Sequence, residues 1–289
     1  MRYERETHKV GAMTAHNWLS TFWAMVRKEL IVMARYPINF IASFGQVFLI
    51  VAVFTLGGRT FIPSQDLGVD NGPSNTAGVV IYGFILFLFL SDTLWTIGYN
   101  VRNEQVQGTL EQLYLSPASK FASLVSRVTN TLVWTGLLSI AGSALMASMI
   151  GRLPFENPLR GLYLLAMALS GTFGIGFAFA ALTLRIRETA QTMANMLQFA
   201  LLILSANFFP FSALPPFLIA IAKANPLAYA VDAFRSTLMG YPPGFPELAS
   251  IQVEMVIVTL FGILSPLIGY FLYRRAEDQA RRSGNLSTF

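Results

Sequence analysis

The sequence predicts an all-α, polytopic membrane protein on three observations: sparse charge, long apolar runs, and runs that do not alternate. Only 12% of the 289 residues are charged, 54% are hydrophobic, and the mean hydropathy is +0.54. A soluble domain carries about 25% charged residues. The apolar runs continue for roughly 20 residues, the length a helix needs to cross a bilayer. A membrane barrel would instead show strands of about ten alternating residues. Helices are required because a spanning segment must satisfy its own backbone hydrogen bonds.

A formal charge of +5 and a pI near 9.6 raise the question of nucleic acid. Lys and Arg collecting on one side of a membrane explain the excess without it, so no nucleic-acid partner is expected. The chain has no cysteine, which excludes disulfides, thiol catalysis and cysteine–metal sites but says nothing of compartment. No signal peptide is visible, because the first apolar run starts near Pro37 with no short h-region or cleavage site before it.

Residues 1–15 are polar. From Asn17 to Arg35 the chain reads as an amphipathic helix. Asn17, Thr21, Ala24, Lys28 and Arg35 share one face, with Ile31 the exception, and Leu19, Trp23, Val26, Leu30 and Met33 fall mostly on the other. Such a helix suits the headgroup region, or forms the start of the first span; both readings stay open. Residues 1–36 are thus a tail and elbow, 37–273 a six-span domain, and 274–289 a cytoplasmic tail. The spans read as Pro37–Leu56, Ala77–Tyr99, Leu124–Ile150, Leu162–Leu184, Thr189–Phe209 and about Met255–Tyr273. Between the last two, Pro210–Arg235 is too apolar for a loop and too broken by proline for a span. A re-entrant or shallow interfacial hairpin fits it, provided protein shields its backbone. With the N-terminus inside, fifteen Lys/Arg fall on the inner side and five, Arg235 among them, on the outer. Both termini are therefore expected in the cytoplasm. The outer loops are short and leave no room for an external domain.

Catalytic constellations are lacking. The two histidines, His8 and His16, precede every span, and no GxxxxGK[ST] occurs, so the chain has no P-loop of its own. No cofactor or metal site is expected in it. The small residues of GTFGIGFAFAA (171–181) read as a surface for close helix packing. Asp92 is the clearest ionisable residue inside a span. Such a group faces a cavity or partner, or reaches interfacial water or a nearby cation toward its helix end; a place in the pathway is one of its open roles.

The stretch that organises the chain is the polar insert Asn100–Lys120, NVRNEQVQGTLEQLYLSPASK. Val106, Leu110, Leu113 and Tyr114 recur at helical spacing and form an apolar stripe. Gly108-Thr109 breaks the descending helix, Thr109 and Gln112 are spaced as a capping box, and Pro117 marks the end. A short surface helix tied to two spans results. It is either a connector resting on headgroups or a lever for a soluble partner.

The string EQVQGTLEQLYLSPAS (104–119) resembles the signature of permease subunits of type-2 ATP-binding-cassette exporters. FFPFSALPPFL (208–218) and NPLAYAVDAFR (225–235) resemble the family's segment between the last two spans. Length, elbow and span number agree, so the resemblance covers nearly the whole chain. It implies that Glu104, Gly108, Thr109, Leu110, Glu111, Leu113 and Pro117 form a coupling helix seated in a separate ATPase subunit, which binds ATP and Mg. It further implies that Phe209, Pro210, Leu214, Pro215 and Pro216 belong to a re-entrant outer gate, and that two permease chains, alike or different, enclose the pathway. One departure stands out: the family often has two adjacent acidic residues here, whereas Gln105 follows Glu104. The expectation is an exporter of hydrophobic or amphiphilic cargo, drug or lipid-like, in a prokaryotic plasma membrane, with a polysaccharide or glycolipid exporter as the alternative. An intramembrane enzyme and an ATP-independent channel are the rivals from other classes.

Overall fold

The computed structural model describes residues 73–99, 120–150, 154–184 and 189–282, together with most positions between 20 and 53. Every regular element among these is helical. The described residues within 20–35 and 37–53 are helical with a break at Tyr36. Then follow α1 (Pro73–Thr93) with a π-helical turn (Leu94–Tyr99), α2 (Lys120–Ile150), α3 (Pro158–Thr183), α4 (Ala190–Leu204), α5 (Pro216–Ala222), α6 (Pro226–Leu238) and α7 (Ile251–Arg282). Proline opens α3, α5 and α6, where its missing N–H leaves no hydrogen bond unmade. Asn225 caps α6 by accepting from Leu227 N (3.1 Å) and donates to Ser205 Oγ (3.1 Å).

Three described helices are long and apolar enough to cross a membrane: Gly78–Ile97, Pro158–Thr183 and Ile251–Gln279. They match the expected second, fourth and sixth spans. The expected third corresponds to α2, apolar over Thr131–Leu145, and the fifth to the 15-residue α4. Much of the first lies outside the described residues. The expected hairpin is a pair of helices, α5 and α6, bent by 95° at the Lys223–Asn225 break.

Several boundaries differ from the sequence reading, those of α4 and α7 most of all. α4 stops at Leu204 rather than Phe209 because Ala206 turns into left-handed backbone (φ 46°). There the chain must pass over Gly83, where any Cβ would collide with the backbone of Asn207. The turn delivers Phe208 onto Phe84 and Phe87 at ring-centroid distances of 5.5 and 5.6 Å. α7 is longer than expected at both ends. Glu254 reaches back to accept from Ala249 N (3.1 Å), satisfying a backbone donor just before the helix. Beyond Tyr273, buried Ala276 and Glu277 keep it packed through part of the expected tail.

α3 and α7 form the most intimate helix pair. A Cβ at Gly174 would strike the backbone of Ser265, and one at Gly269 the carbonyl of Gly174. Small residues thus let the backbones meet, as the 171–181 pattern predicts. Pro266 interrupts α7 and leaves the Gly262 carbonyl without its helical N–H. Ser170 Oγ donates to that oxygen (2.6 Å), and Ser265 Oγ to Gly171 O (2.8 Å). The break is therefore satisfied inside the protein, as an apolar environment demands. The outward side of α7, including Leu260, Leu264, Leu267 and Phe271, is exposed and apolar.

Candidate functional site

Glu156 N donates to Leu238 O (2.8 Å) and Gly78 lies against Met239. Gly262 and Gly269 of α7 meet Met167 and Gly174 of α3 in the same order, so α1, α3 and α7 begin at the end of the bundle that holds α6. The π-helical turn, the start of α2 and the end of α7 lie at the other end. The proposed coupling residues Glu104, Gly108, Thr109, Leu110, Glu111, Leu113 and Pro117 fall between α1 and α2 in the sequence and lie outside the described residues.

At the first end, Pro210, Phe211 and Leu214 are buried, Phe209 is half-buried, and Pro215 and Pro216 are exposed. Leu214 and Phe211 pack with Ala206, Ala222 and Ala228, so this segment folds onto its own helices. What anchors it is Arg235, fully buried near the end of α6. Its Nη1 donates to the carbonyls of Ala206 (3.3 Å) and Phe209 (3.1 Å), and its Nη2 to Glu247 Oε1 (2.8 Å) and Asp232 Oδ1 (3.4 Å). Glu247 in turn accepts from Phe211 N (3.0 Å) and Ser212 N (2.8 Å), while Asp232 Oδ2 accepts from Glu247 N (2.7 Å) and Leu248 N (2.8 Å). The rings of Phe211 and Phe245 lie 5.0 and 5.3 Å from the guanidinium carbon, within cation–π range. One cation thus joins α6, the 206–212 turn and the 245–249 segment. The carbonyls of Ala206 and Phe209 bond to Arg235 instead of continuing α4, which is a second reason α4 ends early.

The sequence reading missed this cluster and counted Arg235 among the outer-side charges. The Asp232–Arg235 spacing within the otherwise apolar NPLAYAVDAFR was the available signal. Glu247 had none, because only the fold brings it back.

Asp92 lines a cleft of about 620 Å³ between α1, α2 and α4. Its oxygens accept from Thr96 Oγ1 (3.0 Å) and, across to α2, Thr135 Oγ1 (2.9 Å). Among the described residues hydroxyls, not a basic side chain, serve it here. Beside it, Trp95 Nε1 donates to Gln198 Oε1 (3.0 Å), and Gln198 Nε2 to Ser91 Oγ (2.9 Å), tying α4 to α1. The remaining wall is largely apolar, with Phe84, Phe87, Trp134, Phe199 and Phe208 prominent. A concave, mostly apolar site with a few convergent polar groups is the usual form of a small-molecule pocket. Ser91, Trp95, Thr135 and Gln198 were not singled out from sequence, since isolated polar residues in spans are ordinary helix–helix hydrogen bonders. Among the described residues no group of His, Asp or Glu could hold a metal ion.

Long apolar helices with a bent helix pair sealed at one end define a multi-pass membrane protein built around a cleft. The family model for the ABC-2 type transporter matches residues 20–239, and the chain belongs to that family. Comparison with curated proteins returns no match.

Proposed function

We infer that the chain is the permease subunit of an ATP-driven exporter, moving hydrophobic or amphiphilic cargo outward across a prokaryotic plasma membrane. The family match over residues 20–239 carries this reading. In it the bundle has six spans, both termini are cytoplasmic, and residues 17–35 form an elbow at the inner surface. A separate nucleotide-binding subunit binds ATP and Mg and seats the helix of residues 104–117. A second permease chain, identical or not, completes the pathway. Coupling needs only that the two permease conformations bind the ATPase with different affinity. The α5–α6 pair and the Phe209–Pro216 turn serve as the outer gate. The cleft at Asp92 favours an amphiphile over a glycan, since its wall combines a small polar patch with many aromatic rings.

Pull-down of the ATPase subunit and ATP-driven transport test the coupling assignment. Glu111→Lys and Gly108→Pro are expected to abolish both, the first by reversing a charge and the second by breaking the helix start. Retention of association and transport in both variants would remove residues 104–117 from that role.

A further inference from the structure

Three features meet in the cleft between α1, α2 and α4. First, Asp92 is the only ionisable residue among the described residues that line it. Its two oxygens are met by the neutral hydroxyls of Thr96 and Thr135. The treatment of carboxylates at the bundle's other end is different: Asp232 and Glu247 both pair with Arg235. Second, aromatic rings line the same space, Trp95 and Trp134 near the carboxylate and Phe84 and Phe208 further along. An aromatic face attracts a cation, and the attraction grows when water is excluded. Third, a volume of about 620 Å³ falls within the range of small-molecule sites, about 300–1,000 Å³. From Phe84 to Trp95 the cleft follows α1 for about 16 Å at 1.5 Å per residue, long enough for an apolar body trailing a charged head.

A carboxylate in an apolar span is expensive unless something compensates it. Among the described residues its hydrogen-bond donors are hydroxyls, which solvate a carboxylate without carrying a balancing charge. We propose that the cleft binds amphiphilic organic cations, a single positive charge on an aromatic or aliphatic body, with Asp92 as counter-ion and the surrounding rings as the cage. This names the cargo class of the exporter inferred above and rests on that reading for its physiological meaning. The binding itself does not require the ATPase.

The test uses two probes of the same shape and opposite charge, tetraphenylphosphonium and tetraphenylborate. Each is titrated against the complete chain in lipid nanodiscs by tryptophan fluorescence, with empty nanodiscs subtracted. The cation is expected to bind at least tenfold more tightly than the anion, about 1.4 kcal/mol, and Asp92→Asn to bring the ratio close to one. Equal binding of the two probes by the unaltered chain, or an unchanged ratio in Asp92→Asn, overturns the proposal and leaves Asp92 as a helix-joining hydrogen bonder. Should Asp92→Asn fail to fold, Asp92→Glu decides with the unaltered chain, since both keep the charge and both must prefer the cation. The two readings fail separately. Cation-selective binding without ATP-driven transport sinks the exporter and keeps the cleft assignment, whereas transport of neutral lipid with no cation preference does the reverse.

Discussion

Replacing Arg235 by Ala removes one side chain and strands three sets of partners. Asp232 and Glu247 lose their cation, and the carbonyls of Ala206 and Phe209 lose a donor where they are buried. Breaking one side of a buried ion pair typically costs 3–5 kcal/mol, because the remaining charge is uncompensated. Arg235→Ala is therefore expected to lower the thermal midpoint of the purified protein sharply. Arg235→Lys should fall between the two, since an ammonium keeps the charge but cannot spread its donors over four acceptors as the planar fork does. An unchanged midpoint in Arg235→Ala would mean that the 206–214 turn is held by its apolar contacts alone. This residue also marks the limit of reading the chain as a string. A basic residue between two apolar stretches looks like a loop charge, and nothing local says that Glu247, twelve positions on, returns to meet it.

At the scale of elements, the α3–α7 pair is decided by what is missing at the contact. Gly171, Gly174, Gly262 and Gly269 all face atoms that a Cβ would displace, and at Gly174, Gly262 and Gly269 the nearest of those atoms are backbone and cannot swing aside. Gly174→Val is expected to force the helices apart and destabilise the protein by about 1–3 kcal/mol, the usual range for overpacking. Unfolding in detergent checks it, and stability equal to the parent would show that the pair tolerates separation. The 171–181 pattern made this contact legible because small residues at helical spacing have one common use in an apolar helix. Helix ends were less legible. α4 ends early because Arg235 claims its next carbonyls, and α7 starts early because Glu254 takes up the Ala249 N–H. Both causes are partners from outside the periodic run, which no periodicity can report.

Across the whole molecule, the proposed function requires that the two ends of the bundle face opposite compartments. The connection between α1 and α2 leaves from one end and the Phe211–Leu214 turn sits at the other. With no native cysteine to remove, single replacements report this directly. Gln112→Cys is expected to react with an impermeant maleimide from the cytoplasmic side only, and Ala213→Cys, exposed on its turn, from the outer side only. Labelling of both from one side would end the lever-and-gate arrangement.

By itself the sequence determined that this chain is helical, lives in a bilayer, carries a polar insert between two spans and breaks its apolar pattern before the last one. Those properties follow from composition and local period, which need no knowledge of neighbours. Only the tertiary structure decided that Asp92 opens onto an aromatic cleft and is met there by hydroxyls, and that Arg235 is a buried clasp joining three segments. The reason is physical: whether a buried charge is neutralised, solvated or left for a ligand depends on groups brought in from distant parts of the chain, and a one-dimensional pattern holds no record of that proximity.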